Sequence, residues 1–271
     1  MLEISSSKLF GLQGSYRGTV MNWQSKALAA LLLSTSCTFT IFCTAVRASL
    51  DVDPDQSLPD ANSLKTMAKS AVGPAFVNQL KEKAAKLRDY KCYCRLYTRK
   101  GGAWKDYGGA DYLYKYRGLF KATIKTKDYR NGSVVVREPN GIIRGCGGGT
   151  LSFMKITLKE DSRTLQLPTG YSLAQSDFSS LYDVLARSIN SGASASMTAS
   201  ASVKAFDGDV SIIVLRSGPA PDSPILEVLY ISNDTKTPVG WHTFQNGVPH
   251  ALVLFQNLET NKGLSEDLFA L

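Results

Sequence analysis

Residues 238–258 read PVGWHTFQNGVPHALVLFQNL, and this stretch decides the fold of the chain. Residues 239–245 and 248–258 are two runs with many β-branched, aromatic and other apolar residues, and Asn246-Gly247 lies between them. Asn and Gly both tolerate the positive φ that a tight two-residue turn requires. The stretch therefore predicts a β-hairpin.

The same signals recur on the N-terminal side of this hairpin. Short apolar runs are separated by turn pairs such as Gly101-Gly102, Asn131-Gly132 and Asp207-Gly208, which predicts about ten strands joined by sequential hairpins. The predicted strands are residues 90–99, 110–117, 119–126, 133–137, 141–144, 151–158, 202–206, 210–216, 225–232, 239–245 and 248–258. Four glycines within residues 145–149 predict a bulge, or a loop whose backbone passes close to its neighbour.

Helices interrupt this pattern in two places. Asn62 or Ser63 can cap a first helix, Gly73-Pro74 should break it, and residues 74–88 continue it with one apolar stripe opposite lysines. Asp177 opens a second amphipathic helix, after which residues 190–202, rich in Ser, Ala and Gly, predict a mobile loop or lid. The elements together predict an α+β, mostly β fold whose antiparallel sheet closes into a barrel or curves strongly around a helix.

The N-terminal region predicts export. In residues 1–48 a lysine precedes an apolar run over 27–46, and Val46-Arg47-Ala48 offers a cleavage site for a signal peptide, with Met21 as an alternative start. The run has 20 residues, so a membrane anchor is an alternative, and Cys37 or Cys43 leaves lipid attachment as another. Residues 49–62 are predicted as a linker and residues 63–271 as one domain, placed in the periplasm or outside the cell.

The charge of the exported part is mild. The whole chain carries +8, but the first 48 residues hold four basic residues and one acidic residue, which leaves 27 basic and 22 acidic side chains. This excess is too small to indicate a nucleic-acid binder. Nine basic residues do crowd residues 81–105, as a solvated surface or as a contact for anionic lipid headgroups or peptidoglycan.

The order of elements resembles the LolA-like superfamily of periplasmic lipoprotein carriers and related domains. A helix ending in Leu87-Arg88-Asp89-Tyr90 runs into a strand, and the C-terminal part has a polar turn ending in Pro238, the hairpin above, and Asn261-x-Gly263-Leu264-x-x-x-x-Phe269. The loose pattern covers about residues 63–270, and its specific part about the last forty. The resemblance implies an unclosed half-barrel with a helix packed on its concave side, and an apolar cavity that accepts acyl chains.

A cavity of this kind needs a surplus of apolar residues on one face of the sheet. Several predicted strands carry such residues, although each set also fits an ordinary filled core. The candidates are Phe120, Ile124, Met154, Ile156, Leu158, Leu226, Val228, Tyr230, Leu252 and Leu254.

The exported part has three cysteines, Cys92, Cys94 and Cys146. Cys92 and Cys94 are two apart on one predicted strand, so they point to the same face and are badly placed to bond each other. Oxidation after export therefore predicts a disulfide between Cys146 and either Cys92 or Cys94. No fourth ligand at a suitable spacing supports a metal site, and no motif indicates a cofactor.

Catalytic signals are weak. His242 could be combined with Asp234, Ser232 or Cys146 as a nucleophile system, but no hydrolase signature flanks them. Asp106, Asp111, Asp128 and Glu138 do not pair as glycosidase or metal sites do. The chain is therefore not expected to be an enzyme. It is expected to be a carrier that binds lipid acyl chains or lipoproteins with transient membrane contact, or else an envelope sensor or structural module that binds an envelope protein.

Overall fold

The computed structural model describes residues 52–128 and 130–271. The predicted signal peptide, its cleavage site after Ala48, and Cys37 and Cys43 lie outside the described residues. The helices are α1 (Pro54–Ser57), α2 (Ala61–Met67), α3 (Pro74–Ala85) and α4 (Phe178–Asn190). None of the helices in the described part has both the length and the apolar character that a membrane crossing requires.

The strands form one antiparallel sheet that does not close. Over the described residues there are twelve, in the spatial order β1-β8-β9-β10-β11-β12-β2-β3-β4-β5-β6-β7, so β1 and β7 are the two edges. This confirms the predicted mostly β fold with an unclosed half-barrel. The strands are β1 (Ser70–Val72), β2 (Asp89–Lys100), β3 (Ala103–Lys115), β4 (Leu119–Lys125), β5 (Val134–Arg137), β6 (Ile143–Cys146), β7 (Lys155–Leu158), β8 (Ser194–Ser202), β9 (Asp209–Arg216), β10 (Ile225–Ser232), β11 (Pro238–Gln245) and β12 (Val248–Thr260).

The hairpin of β11 and β12 is confirmed. Asn246 and Gly247 have φ values of 53° and 76°, so both adopt the left-handed conformation that the tight turn requires. β12 then pairs with β2 on its other side, with Leu254 opposite Arg95. The C-terminal strand therefore joins the two halves of the sheet.

Helices α3 and α4 pack on one face of the sheet, which we call the inner face. Val77, Leu80, Leu181 and Leu185 contact Ile213, Leu215, Leu229 and Ile231 of β9 and β10. On the opposite, outer face, Leu64 of α2 packs with the alternate residues of the same strands. The middle of the sheet is therefore buried on both faces, whereas β2–β7 receive no long helix.

A crossover segment, residues 159–177, connects edge strand β7 to α4. It contains two short 3-10 turns, Arg163–Leu165 and Leu173–Gln175, and an isolated bridge between Gln166 and Ser172. Asp177 caps α4 as predicted, and its side chain accepts hydrogen bonds from the backbone N–H groups of Ser179 and Ser180. The chain must return from one edge of the sheet to the other, so this segment lies across the inner face.

Two sequence predictions for the middle of the chain are wrong. Residues 190–202, predicted as a mobile loop or lid, contain strand β8, which pairs with β9 on one side and β1 on the other. Its small side chains give little apolar periodicity, and the backbone ladder holds it instead. Residues 202–206 were predicted as a strand, but only Ser202 belongs to the sheet, as the end of β8; Val203 packs on the outer face with Leu64 and Tyr230.

The N-terminal end and the glycine cluster also have defined places. Asp60, not Asn62 or Ser63, caps α2. Within the segment predicted as a linker, Val52 and Leu58 pack against Tyr97 and Leu252 on the outer face. A Cβ at Gly148 would lie 1.8 Å from the carbonyl oxygen of Asn131, which confirms that the glycine cluster serves a close approach of two loops.

Candidate ligand cavity

A cavity of about 390 Å³ lies between the inner face and the crossover segment. Pockets that bind small ligands fall in the range of roughly 300–1,000 Å³ and are lined mostly by apolar side chains. The sheet supplies Leu96, Tyr112, Ile124, Val134, Val135, Ile156, Leu158, Trp241, Val253 and Phe255, and the crossover segment supplies Leu165, Leu167, Pro168 and Leu173. Size and lining thus match a site for an apolar ligand.

The space exists because the floor of the cavity is built from small residues. Gly108 and Ala110 on β3 and Gly145 on β6 line it. Gly108 has a φ of 110°, and a Cβ there would lie 2.6 Å from Cγ2 of Thr126. This glycine is therefore required both by its backbone conformation and by its neighbour. Larger neighbours on the same face, such as Phe120 and Tyr112, fill the core beside the cavity.

The crossover segment is held over the cavity by an aromatic stack at its end. The ring of Phe178, the first residue of α4, stacks on Tyr90 of β2 with centroids 4.4 Å apart and an interplanar angle of 3°. The Tyr90 hydroxyl oxygen accepts a hydrogen bond of 3.2 Å from the backbone N–H of Phe178. Burial is the main cause that raises the pKa of Tyr90 well above its ordinary value. The hydroxyl is therefore neutral in the physiological range.

A second contact holds the tip of the crossover segment. The Tyr171 hydroxyl donates to Glu227 of β10, and the indole N–H of Trp241 donates to the same carboxylate over 3.1 Å. The rings of Tyr171 and Trp241 lie 4.7 Å apart. Burial raises the pKa of Glu227, and the two hydrogen bonds act in the opposite direction. Because Trp241 lines the cavity, the carboxylate connects the covering segment to the cavity wall.

One end of the cavity has a polar border. Arg130 lines the cavity, and its Nη1 donates to the Tyr107 hydroxyl over 2.7 Å. Its Nη2 donates to Asp128 over 2.6 Å, and the guanidinium lies 4.7 Å from the Tyr107 ring centroid. Hydrogen bonds from Arg130 hold the pKa of Asp128 well below its ordinary value. The border is thus a charged pair beside a mainly apolar space, whose lining also includes Thr126, Ser133, Thr164, Gln166 and Ser176.

Four of the sequence-predicted residues lie in or beside the cavity. Ile124, Ile156 and Leu158 line it directly, and Phe120 is buried in the adjoining core. Met154 precedes β7 and is 52% exposed outside the cavity. Three of the ten predicted residues thus line this cavity.

The sets predicted on β10 and β12 are not in the cavity. Val228 and Tyr230 pack on the outer face with α2, and Leu252 and Leu254 pack there with Tyr97. Leu226 packs near the core under α4. Both faces of these central strands are buried, so their apolar runs do not alternate and sequence alone cannot assign the face.

The residues that do line the cavity from this region are their neighbours. Val253 and Phe255 of β12 lie there, each one position from a predicted residue, together with Trp241 of β11, a strand for which no cavity residue was predicted. The covering residues of the crossover segment were missed as well. The only available signal was Leu165-Gln166-Leu167-Pro168, a short apolar run without periodicity.

The predicted disulfide is not formed, since Cys92, Cys94 and Cys146 are all free thiols. The strands that carry them are not neighbours, because β3, β4 and β5 separate β2 from β6. A disulfide requires Cα atoms within about 7 Å. Cys92 and Cys94 do share a face, with sulfur atoms 3.6 Å apart, and this contact together with burial raises the pKa of Cys92.

The residues considered for catalysis lie in packed or ion-paired surroundings. His242 is buried on the outer face, with its ring centroid 5.4 Å from that of Trp104, whereas Cys146 lines the cavity on the inner face. Burial lowers the pKa of His242 to about 3. The four carboxylates named above each pair with a basic side chain: Asp106 with Arg95, Asp111 with Lys125, Asp128 with Arg130, and Glu138 with Arg144. The described residues contain no cluster of ligands suited to a metal ion.

No family model and no curated protein matches this chain. Among solved structures, it is similar to a LolA superfamily protein from Nitrosomonas europaea, with 10% identity and a TM-score of 0.33 over 72% of this chain and 97% of that one. It is also similar to the Mycobacterium tuberculosis lipoprotein LppX, with 14% identity and a TM-score of 0.42 over 72% and 100%. A third similarity is to the MucA/MucB complex of Pseudomonas aeruginosa, with 12% identity and a TM-score of 0.40, over 73% of this chain and 60% of the matched chain.

Proposed function

We propose that this protein is exported and binds an acyl chain, of a lipid or a lipoprotein, in the cavity on the inner face of its half-barrel. The observation that carries the proposal is the cavity of about 390 Å³, lined mainly by apolar side chains and covered by the crossover segment. A closed core would leave no such space, because protein interiors are packed as densely as organic crystals.

The energetics favour an alkyl ligand. Each methylene that leaves water for an apolar site contributes about 0.8 kcal/mol. Since Ile124, Val135 and Phe255 present only carbon to the space, they discriminate poorly between acyl chains of different origin. The polar border at Arg130 lies at one end, where the polar group of an amphiphile would remain near water.

Export is the second part of the proposal. It is supported by the apolar run over residues 27–46 and the Val46-Arg47-Ala48 site. A protein that begins at Ser49 and is recovered outside the cytoplasm would support cleavage, whereas intact mass that retains residues before Ala27 would contradict it.

An envelope interaction module is the alternative function. It is favoured by the outer edge of β7, which no strand of the described residues covers and whose four residues include three exposed ones. An open edge can accept an added strand from a partner. A protein that is purified without any apolar ligand and that binds none would favour this alternative.

The test combines ligand identification with a cavity-filling variant. Natively purified protein is extracted with organic solvent and the extract is analysed by mass spectrometry; binding of a fluorescent fatty acid is titrated in parallel. Ala110→Phe places a ring in the cavity from its floor, whereas Thr123→Phe adds the same ring on the opposite face of β4. We expect Ala110→Phe alone to abolish binding. Equal binding by both folded variants would refute the cavity as the site.

A further inference from the structure

An apolar tip protrudes beside the cavity. Of the eight large apolar side chains that are exposed among the described residues, four lie within residues 151–156. Leu151, Phe153, Met154 and Ile156, which we call the apolar tip, are 49%, 78%, 52% and 50% exposed. Isolated exposed apolar residues are ordinary, but a contiguous group marks a contact surface.

The apolar tip is attached to the mouth of the cavity. Ile156 belongs to the tip and also lines the cavity. Cys146 and Gly147, which lie just before the loop, line the cavity as well. A Cβ at Gly147 would lie 2.5 Å from the Cβ of Leu151, so the loop folds closely over this glycine. The contact between Gly148 and Asn131 holds the base of the loop against the neighbouring loop, which carries Arg130. An apolar surface therefore runs from the tip into the cavity.

The surrounding charge is basic. Residues 139–159 contain Arg144, Lys155 and Lys159 and no carboxylate side chain. The flanking acids along the chain are Glu138 and Glu160, which pair with Arg144 and Arg137, and Asp161. The Lys155 ammonium donates to the main-chain oxygen of Leu271. Lys155 and Lys159 against Asp161 leave an excess of one positive side chain next to the tip along the chain, which favours an anionic surface.

We propose that the apolar tip inserts into the interface of an anionic bilayer and thereby places the cavity mouth against the membrane. The Phe153 ring is 78% exposed and protrudes from a loop. A protruding side chain fits a fluid membrane interface better than the flat surface of a folded partner, because the lipids can rearrange around it. Docking does not depend on what fills the cavity. Docking would let an acyl chain pass between the bilayer and the cavity without crossing water; this role rests on the proposed function.

The test is flotation of the purified protein with vesicles of phosphatidylcholine alone or mixed with phosphatidylglycerol. The double variant Phe153→Ser/Met154→Ser removes the two most exposed residues of the tip, neither of which lines the cavity, and Val248→Ser removes a 58% exposed apolar residue elsewhere as the control. We expect the unaltered protein and Val248→Ser to float with the anionic vesicles. The double variant should bind them roughly tenfold or more weakly, because interfacial binding scales with buried apolar area.

Several results would overturn the docking proposal. One such result is that the unaltered protein floats with neither kind of vesicle. Another is that the double variant floats as well as the control, which would mean that binding is electrostatic only. A concentration-dependent dimer in light scattering that the double variant abolishes would assign the tip to a second copy of the chain. Titration of the fluorescent fatty acid in solution separates the two proposals: a double variant that binds it normally but does not float supports docking, whatever the outcome of Ala110→Phe.

Discussion

The same substitution at two apolar positions separates the cavity from the filled core. Ile156 of β7 lines the cavity and is 50% exposed, whereas Val228 of β10 is 0% exposed on the outer face among Leu64, Ile212 and Val214. Glutamate at residue 156 can keep its carboxylate in water. Glutamate at residue 228 must bury a carboxyl group that has no partner.

The magnitudes differ enough to measure. Fully burying an isoleucine side chain is worth about 1.5–3 kcal/mol, so the half-exposed Ile156 should lose about 1 kcal/mol on replacement. Burying an unpaired polar group adds a penalty of roughly 2–7 kcal/mol to the lost apolar burial at Val228. Since a domain is stable by only about 5–15 kcal/mol in total, Val228→Glu should unfold much of the protein.

The assays are thermal unfolding followed by circular dichroism and titration with a fluorescent fatty acid. We expect Ile156→Glu to lower the Tm by about 2–4 °C and to weaken binding strongly. Val228→Glu should lack a cooperative transition at room temperature and above. Equal stability of the two variants would show that the surroundings of residues 156 and 228 do not differ as described. The cavity is not the site if folded Ile156→Glu binds the fatty acid as the unaltered protein does.

Three further predictions concern stability. Gly148→Ala should destabilise the fold by about 1–3 kcal/mol in chemical denaturation, because its Cβ would overlap the Asn131 carbonyl; an unchanged midpoint would contradict the close approach. The pKa of His242 is near 3 in the folded state, so the free energy of unfolding should fall by about 1.4 kcal/mol per pH unit as pH drops below about 6.5. His242→Phe should remove this dependence, and parallel plots of unfolding free energy against pH for the two proteins would exclude it. The raised pKa of Glu227 predicts the opposite sign: its folded-state proton favours folding below a pH of about 4.5, and this contribution is lost as pH rises through the folded pKa. Glu227→Gln should therefore gain stability over the unaltered protein as pH increases, whereas a constant difference would rule this out.

Local signals predicted most of the elements. Asn246-Gly247 specified a hairpin because few residues adopt positive φ, and Asp177 specified the start of α4 because a carboxylate caps free backbone N–H groups. Strand β8 was missed because Ser194–Ser202 is held by ladders to β9 and β1, and neither partner is visible in its own composition. Three of the ten residues proposed for a cavity line the one that the structure contains, because the β4 and β7 sets alternate whereas the β10 and β12 sets do not.

The sequence by itself determined the mostly β class, most of the strands along the chain, the helix that covers the sheet and the need for glycine near residue 148. These features depend on backbone conformation and on periodicity over a few residues, which are local properties. Only the tertiary structure decided that β12 joins β2, that residues 159–177 cover the inner face, and that Cys146 lies four strands from Cys94. Each of these features depends on which distant segments pair. The pairing decides which face of the sheet a side chain lies on, how deeply it is buried and what it contacts, and the neighbouring residues in the sequence do not reveal this where they are apolar on both sides.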